Sequence, residues 1–443
     1  MGVPAMIGPA DRRHVAGLSL IELMVAMVLG LLVSAGIVSV FLSTSASSRA
    51  QGQLAQVQEG GRYAIGRIVD DLRMANAQYC TSTGGTASTT SSGLSLDGLR
   101  APVVYARNLQ AALGASDLTT RWGATSGSNT YPSAPTAPYS LPSFFWMRGY
   151  DCSSTTCSPI DPPTSVLPSM GKSVDHRALG TGVLTLRYVD GSRGWALGAS
   201  SYVVTDTAGS ITSIHLAPAS GEPPLTDLEP SDLVMLSDCS GGQVFAVSGK
   251  PDLTPDPSQN FTAPVARSSQ AAPRLFDFNK DFATLTYFVK VVANDDGTTT
   301  GALIRKDRTG SQEMVRGVER LDFLYGVEDG NGHTRYLSAA EVDSNAGATI
   351  ACPPSVPLPL ERDPGCLWRA VKTIEVHLLM AAEKPLYTLT PREQMYAYQI
   401  DGISAPASPD ASGRRVTPSA QGFVNQKLRR EFIALVSVRN YNP

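Results

Sequence analysis

Near the amino terminus, a single carboxylate precedes an uninterrupted apolar run, and no other feature constrains the fold as strongly. Glu22 is followed by no charged residue until Arg49, and residues 23–42 read LMVAMVLGLLVSAGIVSVFL. As an α-helix, a stretch of this length rises about 30 Å, which is the thickness of the hydrocarbon core of a bilayer. The sequence therefore predicts one membrane-spanning helix over residues 23–42, with the lipid bilayer as its surroundings.

The charges before this run predict its orientation. Arg12 and Arg13 outnumber the one acidic residue there, Asp11. Because cytoplasmic flanks of membrane helices carry an excess of Lys and Arg, we expect residues 1–17 on the cytoplasmic side. The chain after Leu42 is then expected to lie across the membrane.

Small residues within the run predict contact with other helices. Ala26, Gly30 and Ser34 are four positions apart and share one helix face, and small residues let helices approach closely. A carboxylate in lipid is costly unless it is paired, so Glu22 is a candidate functional residue. Together these residues predict that the helix packs against partner helices.

The junction before the apolar run resembles the type III signal of type IV prepilins, since Gly17 is followed by LSLIELM. The resemblance implies that a membrane peptidase and methyltransferase cleaves after Gly17 and methylates the new terminal amine of Leu18. It also implies that Glu22 pairs with the terminal amine of a neighbouring subunit. The implied partners are other major and minor pilins and the inner-membrane pilus assembly machinery. The commonest prepilins have phenylalanine where this chain has Leu18.

An ordinary secretory signal or a simple membrane anchor is the alternative, and residues 44–46 (Thr-Ser-Ala) resemble a small-residue cleavage site. However, the apolar core of a signal peptide has roughly 7 to 15 residues, and this run is longer. Glu22 also lies where such a core should be most apolar. The sequence therefore favours the prepilin signal.

Six cysteines follow the apolar run, on the side expected to be oxidising, and an even number there predicts disulfides. Several pairings are possible, but pairing Cys152 with Cys157 and Cys352 with Cys366 would close two short local loops. Cys80 and Cys239 would then remain as the third pair. Zinc is the competing interpretation; it is disfavoured because no Cys-x-x-Cys pair exists and the histidines are scattered. The predicted pairs are Cys152–Cys157, Cys352–Cys366 and Cys80–Cys239.

Helical periodicity continues beyond the apolar run. Apolar residues recur every three or four positions from Leu54 to Leu72, so we predict a helical segment over residues 18–78, weakest at Gly60-Gly61. Its outer half is predicted to be amphipathic, with one face packed on a sheet. The polar residues largely off the apolar stripe are expected to face solvent: Arg62, Arg67, Asp70, Asp71 and Arg73.

Residues 79–443 are predicted to form a β-rich ectodomain of an α+β protein, in which the long helix packs on an antiparallel sheet. Residues 85–180 are rich in Ser, Thr, Gly and Pro and predict a loop-rich insertion. Asn294-Asp295-Asp296-Gly297 predicts a hairpin turn. Strand patterns occur at 182–191, 201–205, 210–218, 232–249, 284–307, 318–329, 370–383 and 430–440.

Several ectodomain segments resemble the PilW-type minor pilins of type IV pili, namely 62–80, 237–247, 303–329 and 437–440. The resemblance implies a single-pass inner-membrane protein with a periplasmic domain that enters the pilus. Its implied role is pilus assembly or initiation at or near the tip, in support of motility, adhesion or DNA uptake. A minor pseudopilin of type II secretion and a ligand-binding tip adhesin, with 85–180 as its binding surface, are the alternatives.

No recognised catalytic motif is present, so we predict neither an enzyme nor a cofactor. The sequence has no His-Glu-x-x-His and no Gly-x-Ser-x-Gly, and residues 171–173 (Gly-Lys-Ser) lack the upstream glycine of a phosphate loop. Residues 329–333 resemble half a calcium loop, but a turn is favoured and no metal site is predicted. His377, beside Glu375, is expected to be a surface or structural histidine. A membrane-tethered hydrolase has no motif in its favour.

The net charge of the chain bears on nucleic-acid binding. Lys and Arg number 36 against 39 Asp and Glu, which gives a formal charge of −3. Proteins that bind nucleic acid offer a basic field, and this chain as a whole has none. No nucleic-acid partner is predicted.

Overall fold

A computed structural model describes most of the chain: residues 19–80, 87–90, 93–96, 101–109, 121–126, 129–239, 241–266, 272–329, 331–350, 365–386, 389, 396–397, 415–416 and 418–438. The chain divides into two compact units, Met1–Gln53 and Leu54–Pro443.

One long helix, α1 (Leu20–Arg73), belongs in part to each unit. In the first unit its residues 20–43 are all exposed, and an 18-residue window reaches a mean hydropathy of 2.6, so α1 is long and apolar enough to cross a membrane. The helix is followed by a turn in which Asn76 has a positive φ of 60°. A left-handed residue ends a helix, and asparagine tolerates that conformation better than most residues. The predicted long amino-terminal helix is confirmed as α1, which ends at Arg73 and not at residue 78.

The described strands are, in chain order, β1 (Ala87–Thr90), β2 (Gly93–Leu96), β3 (Val103–Val104), β4 (Thr125–Ser126), β5 (Asn129–Thr130), β6 (Tyr139–Ser140), β7 (Arg148–Cys152), β8 (Cys157–Ser158), β9 (Val183–Val189), β10 (Trp195–Ala196), β11 (Tyr202–Thr205), β12 (Ile211–His215), β13 (Leu233–Asp238), β14 (Gly241–Ser248), β15 (Asp252–Pro255), β16 (Arg274–Asp277), β17 (Phe282–Ala293), β18 (Thr299–Asp307), β19 (Gly310–Arg316), β20 (Val318–Glu328), β21 (Thr334–Leu337), β22 (Val371–Ala381), β23 (Tyr396–Ala397), β24 (Arg415–Val416) and β25 (Arg429–Ser437). Short helical turns lie at Ser143–Phe145, Leu225–Asp227, Phe278–Asp281, Ala339–Asp343, Asn345–Ala348, Leu367–Ala370 and Pro418–Gln421.

Three larger sheets make up the second unit, and all their ladders are antiparallel except that of β3 with β14. The nine-stranded sheet has the order β10-β16-β13-β14-β15-β12-β11, with β3 beside β14 and β6 beside β3. The six-stranded sheet has the order β19-β18-β17-β9-β7-β8, and the four-stranded sheet β21-β20-β22-β25. The predicted hairpin is confirmed, because Ala293 pairs with Thr299 across the turn. The fold class is α+β, as predicted.

The outer half of α1 packs into a core shared by the six-stranded and four-stranded sheets. Ala64, Ile68 and Leu72 are fully buried there, against residues of β17, β20 and β22. Gly61 permits this packing, since a Cβ added at that position would lie 2.3 Å from the ring of Phe432 in β25. The glycine that weakens the helix thus allows it to approach the sheet closely.

The segment 85–180 contributes more to the core than its composition predicts. Strands β7 and β8 belong to the six-stranded sheet, and an aromatic cluster beside them is fully buried. The expectation of loops was incomplete because bulky residues within short, weakly periodic segments leave no clear pattern. The buried aromatic residues are Tyr131, Tyr139, Phe144, Phe145 and Trp146.

Candidate functional site

The start of α1 carries the predicted assembly carboxylate and shows how it is held. Glu22 Oε2 accepts hydrogen bonds from the backbone N–H and the hydroxyl of Ser19, both at 3.0 Å. In return, the Ser19 hydroxyl accepts the backbone N–H of Glu22 at 3.2 Å. This reciprocal pair is a capping box, and its signal, Ser-x-x-Glu, was present in the sequence and missed. Gly17 and Leu18 lie outside the described residues.

The exposed apolar half of α1 presents the predicted small-residue face. Ala26, Gly30 and Ser34 are all exposed, and nothing lies within 4 Å of a Cβ built on Gly30. In the described structure, this face is therefore open along the first unit. A partner helix remains a prediction.

At the other end of α1, one carboxylate joins the helix to the six-stranded sheet. Asp71 Oδ2 accepts a hydrogen bond from Arg305 Nε at 2.8 Å and another from the Tyr287 hydroxyl. Arg305 also contacts Asp307 at 2.9 Å. Burial alone lowers the pKa of Arg305, but the hydrogen bond and charge of Asp71 raise it above its ordinary value.

The expectation that Asp71 faces solvent was wrong. Its exposed fraction is only 8%, whereas its neighbour Asp70 is exposed and pairs with Arg73 within the helix. The strand residues that bind Asp71 are more than 200 positions away along the chain. Helical periodicity alone cannot reveal such partners.

Disulfides fasten the turn after α1 and the edge of the six-stranded sheet. One joins Cys80 to Cys239, which follows β13, and another joins Cys152 to Cys157 across β7 and β8. Cys366 is also disulfide-bonded, and Cys352 lies outside the described residues. Within the second unit, the Cys80–Cys239 disulfide links the turn after α1 to the nine-stranded sheet, and Asp71 links the end of α1 to the six-stranded sheet.

His377 is a buried structural histidine on β22. Its Nε2 lies 2.8 Å from Glu375 Oε1, and its Nδ1 lies 3.2 Å from Glu431 Oε1. Burial lowers the pKa of His377, but the hydrogen bonds and charges of the two glutamates outweigh burial and raise it. A surface position is therefore excluded, and the histidine lies in the four-stranded sheet.

The suspected half calcium loop is a turn. Asp329 Oδ1 accepts the backbone N–H groups of Asn331 at 2.9 Å and His333 at 3.0 Å. This is the pattern by which an aspartate side chain stabilises its own turn. Across the described ranges, no group of three or more His, Cys, Asp or Glu side chains is placed to hold a metal ion.

Two family models match the chain. Residues 286–440 match PilW, the type IV pilus-assembly protein W, and residues 12–38 match the prokaryotic N-terminal methylation motif. No curated protein and no solved structure shows significant similarity to the chain. The two matches indicate a structural, pilus-related component. The methylation motif and the exposed apolar helix fit a membrane-anchored pilin.

Proposed function

We propose that this chain, a PilW-type pilin with a prepilin signal, is a minor pilin that acts in assembly or initiation of a type IV pilus, at or near its tip. The observation that carries the proposal is the combination, on one chain, of the PilW match, the methylation motif and a carboxylate at the start of an exposed apolar helix. The protein is inserted in the inner membrane with its large unit in the periplasm, cleaved after Gly17 and methylated on Leu18.

Assembly in this proposal moves α1 from lipid into a bundle of pilin helices. Glu22 pairs there with the terminal amine of a neighbouring subunit, because a buried carboxylate is costly without a counter-charge. The capping box engages Oε2, so Oε1 is available to that amine. The small-residue face of Ala26, Gly30 and Ser34 allows the partner helix to approach.

The capping box and the amine pairing can be separated by substitution. Glu22→Gln keeps the capping box, since glutamine serves equally at that position, but removes the charge. Glu22→Leu removes both, and Glu22→Asp keeps the charge with a shorter reach. If the charge pairs with an amine, the Gln and Leu variants should be made, inserted and cleaved, yet fail to join pili, and the Asp variant should be intermediate.

The measurement is recovery of each variant in sheared pili, beside its amount in the membrane fraction. Sequencing the amino terminus of the membrane-bound protein reports cleavage, which should give Leu18 as the first residue. Normal incorporation of Glu22→Gln would show that the capping box suffices, and would refute the amine pairing. An intact amino terminus, or one that begins after Ala46, would refute the prepilin signal.

A further inference from the structure

A cavity of about 420 Å³ lies within the second unit, between the outer half of α1 and the ends of β19 and β22. Binding pockets for small groups commonly measure about 300 to 1,000 Å³ and combine an apolar floor with a few polar groups. Its floor is formed by Val57, Val315 and Met380. Gly60 also lines the cavity and lets α1 approach this floor closely, since a Cβ there would lie 3.2 Å from Met380 Cε and from Val315 Cγ2.

Two carboxylates stand at the rim of this cavity. Glu383 accepts a hydrogen bond from the neutral amide of Gln56 at 3.0 Å, and Glu59 is exposed. In the part of the chain that the structure describes, neither forms an ion pair within 4 Å. Tyr63, which is 49% exposed, adds an aromatic side chain to the rim.

The positive groups nearby do not neutralise these carboxylates. Arg316 lines the cavity, but Glu313 holds its Nε at 2.7 Å, and Asp295 and Glu313 share its charge with Glu383. Lys427 lies within electrostatic reach of Glu383 but is buried, and that burial lowers its pKa. The rim therefore keeps a surplus of negative charge above an apolar floor.

We infer that this cavity docks a segment of a partner protein that presents an Arg or Lys side chain beside a bulky apolar one. The cationic group suits the rim, since Glu59 and Glu383 supply counter-charge and Tyr63 can receive it over its ring. The apolar side chain suits the floor, where it leaves water. An anionic lipid surface is disfavoured, because the same carboxylates repel it.

The test uses the full-length protein in nanodiscs of zwitterionic lipid, with ¹³C-labelled methionine methyl groups. The Met380 methyl signal, assigned with Met380→Leu, reports occupancy of the floor. The probes are three acetylated and amidated pentapeptides, GLRLG, GLQLG and GLELG. We expect GLRLG to shift the Met380 signal saturably, GLQLG to bind at least about tenfold more weakly, and GLELG to have no effect.

Two variants determine whether the rim is responsible. The double variant Glu59→Gln with Glu383→Gln should lower the affinity for GLRLG by about tenfold, which is the effect of two exposed charge contacts. Its affinity for GLQLG should change by less than about twofold. The control Asp70→Asn removes an exposed carboxylate elsewhere on α1 and should change neither peptide. The proposal would be overturned if all three peptides shifted the Met380 signal equally or if GLRLG gave no saturable shift. It would also be overturned if nanodiscs that contain phosphatidylglycerol shifted the signal without any peptide.

Discussion

Replacing Asp71 with alanine should destabilise the second unit far more than the same change at the neighbouring Asp70. Asp71 is the carboxylate that joins α1 to β17 and β18 through Tyr287 and Arg305. Among the residues that the structure describes, Asp70 pairs only across one turn of the same helix, with Arg73 at 3.6 Å. Both aspartates lie in the last turns of α1, so the gain in helix propensity from alanine is similar at both and cancels in the comparison.

The magnitude follows from burial and from the partners that remain. The side chains of Arg305 and Asp71 are 15% and 11% exposed, and removing one partner of a buried ion pair costs about 3 to 5 kcal/mol. Arg305 keeps Asp307 at 2.9 Å, which reduces the loss, so we expect about 2 to 3 kcal/mol for Asp71→Ala. Asp70 is 61% exposed in its pair, and Asp70→Ala should cost less than about 0.5 kcal/mol.

The measurement is urea unfolding of the full-length protein in detergent, followed by tryptophan fluorescence. A third variant, Asp71→Ala with Arg305→Met, removes the cation that Asp71→Ala leaves partly unpaired and should recover part of the loss. Asp307 also loses its contact with Arg305 in this variant, but its side chain is 30% exposed and remains in contact with water. If Asp71→Ala and Asp70→Ala unfold at the same urea concentration, the buried contact contributes nothing measurable and this reasoning is refuted.

Two further predictions concern disulfides and pH. Non-reducing peptide mapping should recover Cys80 linked to Cys239 and Cys352 linked to Cys366, and free thiols would contradict this pairing. The ends of the Cys80–Cys239 disulfide are 159 residues apart, so its removal should lower the free energy of unfolding by about 5 kcal/mol by chain entropy. Burial raises the pKa of the Asp151 carboxyl to about 7, so the folded state holds this proton more tightly than the unfolded state does. The free energy of unfolding should therefore fall by up to about 4 kcal/mol as the pH rises from about 4 to 7. Asp151→Asn should flatten this dependence in urea unfolding; an unchanged pH profile would contradict the assignment.

The elements with a visible period were predicted from the sequence. The apolar run and the stripe from Leu54 to Leu72 identified α1, and alternating apolar residues identified strands such as β20 and β22. These patterns are local, because each element buries one face against whatever lies beside it. Glu22 could be singled out for the same reason, since one charge before an apolar run is visible without any partner, and its role in assembly stays a prediction.

What the sequence did not reveal depends on distant contacts. Asp71 has the same local appearance as Asp70, and only its partners on β17 and β18 distinguish the two. The cavity beside Gly60 likewise needs side chains from β19 and β22 to form its floor. Each of these features joins residues more than 200 positions apart, which no periodicity encodes.

The segment that matches the PilW model is part of a folding unit and not a complete one. Residues 286–440 include all of the four-stranded sheet but only β18, β19 and most of β17 from the six-stranded sheet. Strand β9, outside the match, pairs with β17 from Val189 to Leu184, and α1 covers the shared core. A fragment limited to 286–440 would lack residues 282–285 of β17, which form most of the ladder with β9. It would also expose the buried apolar face that α1 covers, and such a face promotes aggregation. The helix and the strands before residue 286 are therefore required for the matched segment to fold as it does here.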